Sequence, residues 1–252
     1  MRITTELRGG RTVPATLAGG MLRPRVLAAR DGPLRVALVQ TTACLLSGDC
    51  VTIEIRVGAD TALELVEPAA TIAHDARGGP LARWSAEVVV EEGGRLSWLG
   101  APFVVAGGAR VRRSLELDLA AGSAALVRDT LVLGRAGEGP GRAVSDLGVA
   151  YDGRPLLAET LDTRLADTPA VAGAAKVIDT IAVLGLRPPD LPPDAWALHG
   201  PGAMRALPAA SYAAAEAVNQ PLIAVWREPV FRDSGADPCS GASRSSAVAR
   251  VS

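Results

Sequence analysis

The sequence predicts a mainly β fold of stacked, solenoid-like sheet layers, with a small helical part at the C-terminal end. Three observations lead there. First, 48% of the 252 residues are hydrophobic and 21% charged, which is enough apolar surface for one substantial core. Second, the segments "TIEIRVGADTALELV", "AEVVVEEGGRLSWLG" and "SLELDLAAGSAALVRDT" each alternate apolar and polar residues, turn on small residues and alternate again. Third, the residues opening those turns, Val57, Val90 and Leu119, recur at a spacing of about thirty, the signature of stacked units.

Within each segment the alternation assigns faces. Leu115, Leu117 and Leu119 point one way, and Glu116 and Asp118 the other. Ile53, Ile55 and Val57 likewise oppose Glu54 and Arg56. The turns "GAD", "EEGG" and "AAGS" supply residues that tolerate positive φ, for a hairpin or a tight corner. A fourth unit is placed at Val149, where "YDGRP" leads into "LLAETL".

Beyond about residue 164 the texture changes. "TPAVAGAAKVIDTIAVLGL" suits either strand or helix, and "RPPDLPPDAW" must be an extended loop because proline removes donors. Ala209 to Gln220 is the best helix, closed by Pro221, after which "LIAVWREP" is expected to return as a strand. Residues 1–232 are read as one domain and the small, polar residues 233–252 as a disordered tail.

Composition removes several functions. Aromatic residues are 3% of the chain, too few for a base-stacking platform, and the net charge of −1 comes without a basic block, so nucleic acid is a poor partner. No run of about 18 apolar residues occurs, and the N-terminus has no apolar leader, so no membrane is expected. Cys44, Cys50 and Cys239 are an odd, low count that points to a reducing cytoplasm. His74 and His199 alone cannot build a multi-histidine centre. No GxSxG, phosphate-loop, HExxH or paired CxxC motif appears, and "GGARVRRS" precedes a strand instead of a helix.

What remains is three acids in apolar strand contexts. Asp49 ends "LLSGD" before a strand, Asp129 interrupts "AALVRDTLVLG", and Glu159 interrupts "PLLAETL". A carboxylate among buried positions must be paired, hydrated or metal-bound. One reading is a salt bridge, with Arg128 or Arg164 as partner; the other is a shared hydrated interior path offering weak oxygen ligands to a passing cation. Cys50, beside Asp49, lacks any neighbour that would lower its thiol pKa and make it a nucleophile.

The ordered set Ser47-Gly48-Asp49, Ala69-Ala70-Thr71, "LSWLGAPFVV", "VRDTLVLGRAGEG" and "LLAETL" resembles the urease accessory protein UreD family, called UreH in some bacteria, in the short form of its actinobacterial members. The likeness runs from about residue 30 to 165, with Ser47 in place of a usual glycine and a shortened Arg135-Ala136-Gly137-Glu138 tract. It implies a stacked β fold, no catalysis and no tightly bound cofactor. The partners implied are the urease apoenzyme and the accessory proteins UreF and UreG. The cargo is a transient nickel ion passing through a water-filled channel, whose acids map by motif onto Asp49, Asp129 and Glu159, with Cys50 as an additional soft contact. A purely structural β assembly protein and a two-acid carbohydrate hydrolase are the alternatives, the latter short of aromatic sugar platforms.

Overall fold

The computed structural model describes residues 1–27, 32–43, 45–163 and 175–232. In chain order the strands are β1 (Arg2–Arg8), β2 (Arg11–Ala18), β3 (Leu22–Leu27), β4 (Leu34–Gln40), β5 (Cys50–Val57), β6 (Ala62–Val66), β7 (Thr71–Ala73), β8 (Ala82–Val90), β9 (Arg95–Leu99), β10 (Phe103–Val105), β11 (Arg110–Leu119) and β12 (Ala124–Leu133). They continue with β13 (Arg142–Tyr151), β14 (Arg154–Asp162), β15 (Val177–Leu184), β16 (Trp196–Ala197) and β17 (Gly202–Ala209), before one helix, α1 (Tyr212–Phe231).

Two sheets face each other. One runs β14-β13-β11-β8-β5-β1-β2 and the other β16-β17-β15-β12-β9-β6-β4-β3. The thirty-residue repeat is a coil of a solenoid. Each unit places one strand in each sheet, and β5, β8, β11 and β13 then stack in parallel, as do β6, β9 and β12. The first three turns are therefore corners between sheets, not hairpins. Val57 pairs with Val90, and Val90 with Leu119, so the predicted turn-opening residues lie on one buried rung. The fourth member of that rung is Tyr151, not Val149, which pairs one alternation earlier with Leu117. Asp60, Gly93 and Gly122 occupy the corners with φ of 55°, 68° and 74°. At Gly93 a Cβ would sit 2.0 Å from Asp60 Oδ1, so stacked corners there leave room for glycine alone.

The inward set of each coil makes the main core, including Ile53, Ile55, Val88, Leu96, Leu117 and Leu119. After β13 the stack ends: β14 returns antiparallel beside β13, β15 adds antiparallel to β12, and β17 antiparallel to β15. The ambiguous "KVIDTIAVLGL" is thus strand through Leu184. The proline-rich segment runs without regular structure up to β16, and its Asp190 carbonyl accepts a hydrogen bond from Trp226 Nε1.

The C-terminal end differs from expectation in two places. The helix starts at Tyr212, capped by Ser211 Oγ accepting from Ala214 N, and Ala209 belongs to β17. It then continues through Pro221 and Pro229, so "LIAVWREP" is helical and no strand returns. The reason is packing. Leu222, Ile223, Trp226 and Val230 are buried in a second core against the ten-stranded sheet. Four such side chains at roughly 1.5–3 kcal/mol each match or exceed two interior prolines at about 3 kcal/mol each. The tail, residues 233–252, lies outside the described residues, as do Cys44, Cys239 and Arg164. Among the described residues no helix is long and apolar enough to cross a membrane.

Candidate cation site between the two sheets

Where the parallel stack gives way to antiparallel strands, the two sheets do not close completely. A cavity of about 340 Å³ opens there, lined by Asp129 and Leu131 of β12, Ser145 and Leu147 of β13, Glu159 and Leu161 of β14, Ile178 and Thr180 of β15, and Trp196, Ala206 and Pro208. Glu159 pairs with Leu147 across the β13–β14 hairpin and so shares its direction, lining the cavity while remaining partly open to solvent. Burial and the nearby Asp129 carboxylate raise the Glu159 pKa above the ordinary carboxyl range. The fold therefore brings together two acids that lie thirty residues apart in sequence, on strands of different sheets.

Asp49 is placed differently. It closes the turn before β5: Leu46 N donates to its Oδ2 at 2.9 Å, and its own N–H donates to Leu46 O. It does not line the cavity. Cys50 opens β5, is exposed, and places Sγ 4.0 Å from the Gly48 carbonyl. Among the described residues no three His, Cys, Asp or Glu side chains converge tightly enough to hold a metal ion.

Of the two arginines considered from sequence, Arg164 lies outside the described residues and Arg128 pairs elsewhere. Arg128, the neighbour of Asp129, points to the opposite side of β12 and donates Nε and Nη2 to the two oxygens of Asp179 at 3.0 and 2.8 Å. Thr130 Oγ1 and Asn219 Nδ2 also donate to Asp179, giving a fully buried carboxylate four donors. The partner of Asp129 is Arg113 on β11, whose Nη2 donates to Oδ1 at 2.6 Å.

Arg113 is a buried cation, 5% exposed, in a string of inward apolar residues between Val111 and Leu115. Its guanidinium carbon lies 4.5 Å from the Phe103 ring centre and 5.3 Å from that of Trp84. Trp84 in turn sits 6.2 Å from Trp98. A chain poor in aromatics thus spends two of its four tryptophans around one arginine. Glu67 completes the group. Trp98 Nε1 donates to its Oε1 at 2.7 Å and Ala101 N to its Oε2 at 3.2 Å. Burial, with Asp129 adding to it, raises the Glu67 pKa, and Arg113 offsets part of that rise.

Glu67, Arg113 and Asp129 line a small chamber of about 30 Å³, and Asp129 lines both the chamber and the larger cavity. Sequence reasoning missed Arg113 and Glu67, although both follow the alternation it used. Val111, Arg113 and Leu115 share a face, and Glu67 continues the odd-numbered, inward set Leu63 and Leu65. The arrangement offers oxygen ligands from two carboxylates at the cavity, one already held by an internal cation.

A model of the UreD urease accessory protein family matches residues 1–236 of this chain. Urease accessory protein UreD 1 of Streptomyces griseus is 44% identical over 213 residues, covering 83% of each chain. UreD of Streptomyces avermitilis is 34% identical over 70% of this chain and 72% of its own. UreD 1 of Saccharopolyspora erythraea is 35% identical over 76% and 80% respectively.

Proposed function

The chain belongs to the UreD urease accessory protein family, and from that premise we propose that it is a non-catalytic urease maturation factor that passes nickel to the urease apoenzyme. A role in urease maturation goes with the family. The nickel path is our reading, and the observation that supports it best is the joint placement of Asp129 and Glu159 on one cavity between the sheets. Two carboxylates with few further ligands hold a divalent ion weakly, which suits transfer over storage. In this reading nickel is cargo, with no tightly bound cofactor, and Asp49 and Cys50 are outlying oxygen and sulfur contacts at the start of β5. UreF, UreG and the urease subunits are the proposed partners, in the cytoplasm.

The test is paired. Glu159→Ala and Glu159→Lys are made in the chain co-expressed with urease, and folding is compared with the nickel content and activity of that urease. Among the described residues Glu159 makes no ion pair, so both variants should fold and bind partners normally. Activation should fall in the Ala variant and further in the Lys variant, where a long cation fills the path and repels the metal. Full activation by Glu159→Lys would remove the conduit.

A further inference from the structure

The least explained side chain in the molecule is Arg113. It is nine-tenths buried, yet among the described residues no acceptor meets its Nη1. A buried arginine that uses only part of its five-donor fork is expensive. It lines the small chamber, and its ionic partner among the described residues, Asp129, lines both that chamber and the larger cavity. The other carboxyl in the chamber, Glu67, is engaged by two neutral donors and, among the described residues, makes no ion pair.

We propose that Arg113 is a resident counter-cation gating the path: a divalent ion that reaches Asp129 displaces the guanidinium, which moves along the Trp84 and Phe103 ring faces to Glu67. This rests on the conduit reading above and adds to it a residue that sets which ions pass. The geometry supplies each part. With Arg113 on Asp129, the inner carboxylate of the cavity is already neutralised. A monovalent ion gains little by replacing one unit charge with another, because Arg brings a directed hydrogen bond that a spherical ion lacks. A divalent ion shared between Asp129 and Glu159 doubles the charge opposite them. The displaced guanidinium keeps its aromatic stacking and finds a second carboxyl in the same chamber, so no charge is left unpaired. No covalent bond changes; one ion pair is exchanged for another.

The experiment is equilibrium binding of nickel chloride alone to the full chain, followed by calorimetry and by tryptophan emission, in wild type, Arg113→Gln, Glu67→Gln and Glu159→Gln. Removing the competitor should tighten nickel binding in Arg113→Gln by about tenfold, within the usual range for coupled sites. Removing the alternative acceptor should weaken it by about tenfold in Glu67→Gln. Wild type should show a change in tryptophan emission on nickel addition as the cation shifts across the Trp84 ring face toward Glu67, and Arg113→Gln should not. Should Arg113→Gln fail to fold, Glu67→Gln decides. It strips no ion pair and loses only the acceptor for Ala101 N, so its metal-free circular dichroism should remain that of wild type. Nickel affinity unchanged in the Arg113 and Glu67 variants but weakened in Glu159→Gln would overturn the gate and leave the conduit standing. Affinity unchanged in all three would overturn both.

Discussion

The parallel stack and the antiparallel end of the same two sheets are built from similar residues and do opposite things. In the stack, each coil repeats the register of the last, so Ile53, Ala86 and Leu115 meet rung by rung and the space between the sheets is filled except for the small chamber at Arg113. At the end, β14 reverses beside β13 with a register shift between Val149 and Ala150, while β15 and β17 extend the other sheet with no coil to face. The cavity lies in that mismatch. Repetition closes most of the interior, and its interruption leaves a cavity lined by two carboxylates, Asp129 and Glu159.

Breaking the polar joint at the border of these regions should have the largest effect. Asp179→Ala leaves Arg128 buried without its bidentate partner and strips Thr130 and Asn219 of an acceptor. A loss of about 3–5 kcal/mol is expected in denaturant unfolding, and a loss below 1 would show that the joint is not needed to hold α1. Within the stack, Leu96→Ala, at a fully buried position of β9, should cost about 2–5 kcal/mol, because stacked coils have little freedom to collapse onto the void. The same truncation at Leu161, beside the cavity, should cost clearly less. Equal costs would mean that the cavity end is packed as tightly as the stack.

A smaller effect separates the two regions by pH. The pKa of Glu67 is raised in the fold, so the folded state binds its proton more tightly than the unfolded chain does. Its stabilising contribution is complete below the ordinary carboxyl pKa of 4.5 and is lost as pH rises through the raised value. Wild-type stability should therefore decline with rising pH above that point. Glu67→Gln should lack the decline, starting about 1 kcal/mol lower because Ala101 N loses an acceptor. Glu138 runs the other way. Arg135 and the Gly107 N–H hold its pKa down to about 2, so its contribution is present above 4.5 and lost as pH falls toward 2. The measurement is a set of thermal melts across that range; a Glu67→Gln curve parallel to wild type above pH 4.5 would remove the assignment.

These contrasts also explain what could be read beforehand. The stack was legible because one register governs every coil: alternation fixed Ile53, Ile55 and Leu117 as core, and small residues fixed the corners at Asp60, Gly93 and Gly122. The joint use of Asp129 and Glu159 was open to suspicion because both interrupt apolar strands and both fall in motifs of the family resemblance. Their meeting depends on how β14 turns back, which no local pattern records. Arg113 and Glu67 escaped because each stands one residue outside an alternating segment, Glu67 after "LELV" and Arg113 before "SLELDL". The helix was cut short at Pro221 because local propensity says nothing of the sheet surface waiting for Leu222, Ile223 and Trp226.

One strand carries a mechanical consequence. On β12, Arg128 is tied through Asp179 and Asn219 to α1 and stacks 5.2 Å from the centre of the Tyr212 ring, while Asp129, the very next residue, faces the cavity. Successive Cα atoms are only about 3.8 Å apart on a rigid, doubly paired strand. Any load applied to the outer surface of α1 therefore reaches the cavity wall through a single peptide unit. The helix is a handle on the site, bolted to the strand that supplies its inner carboxylate.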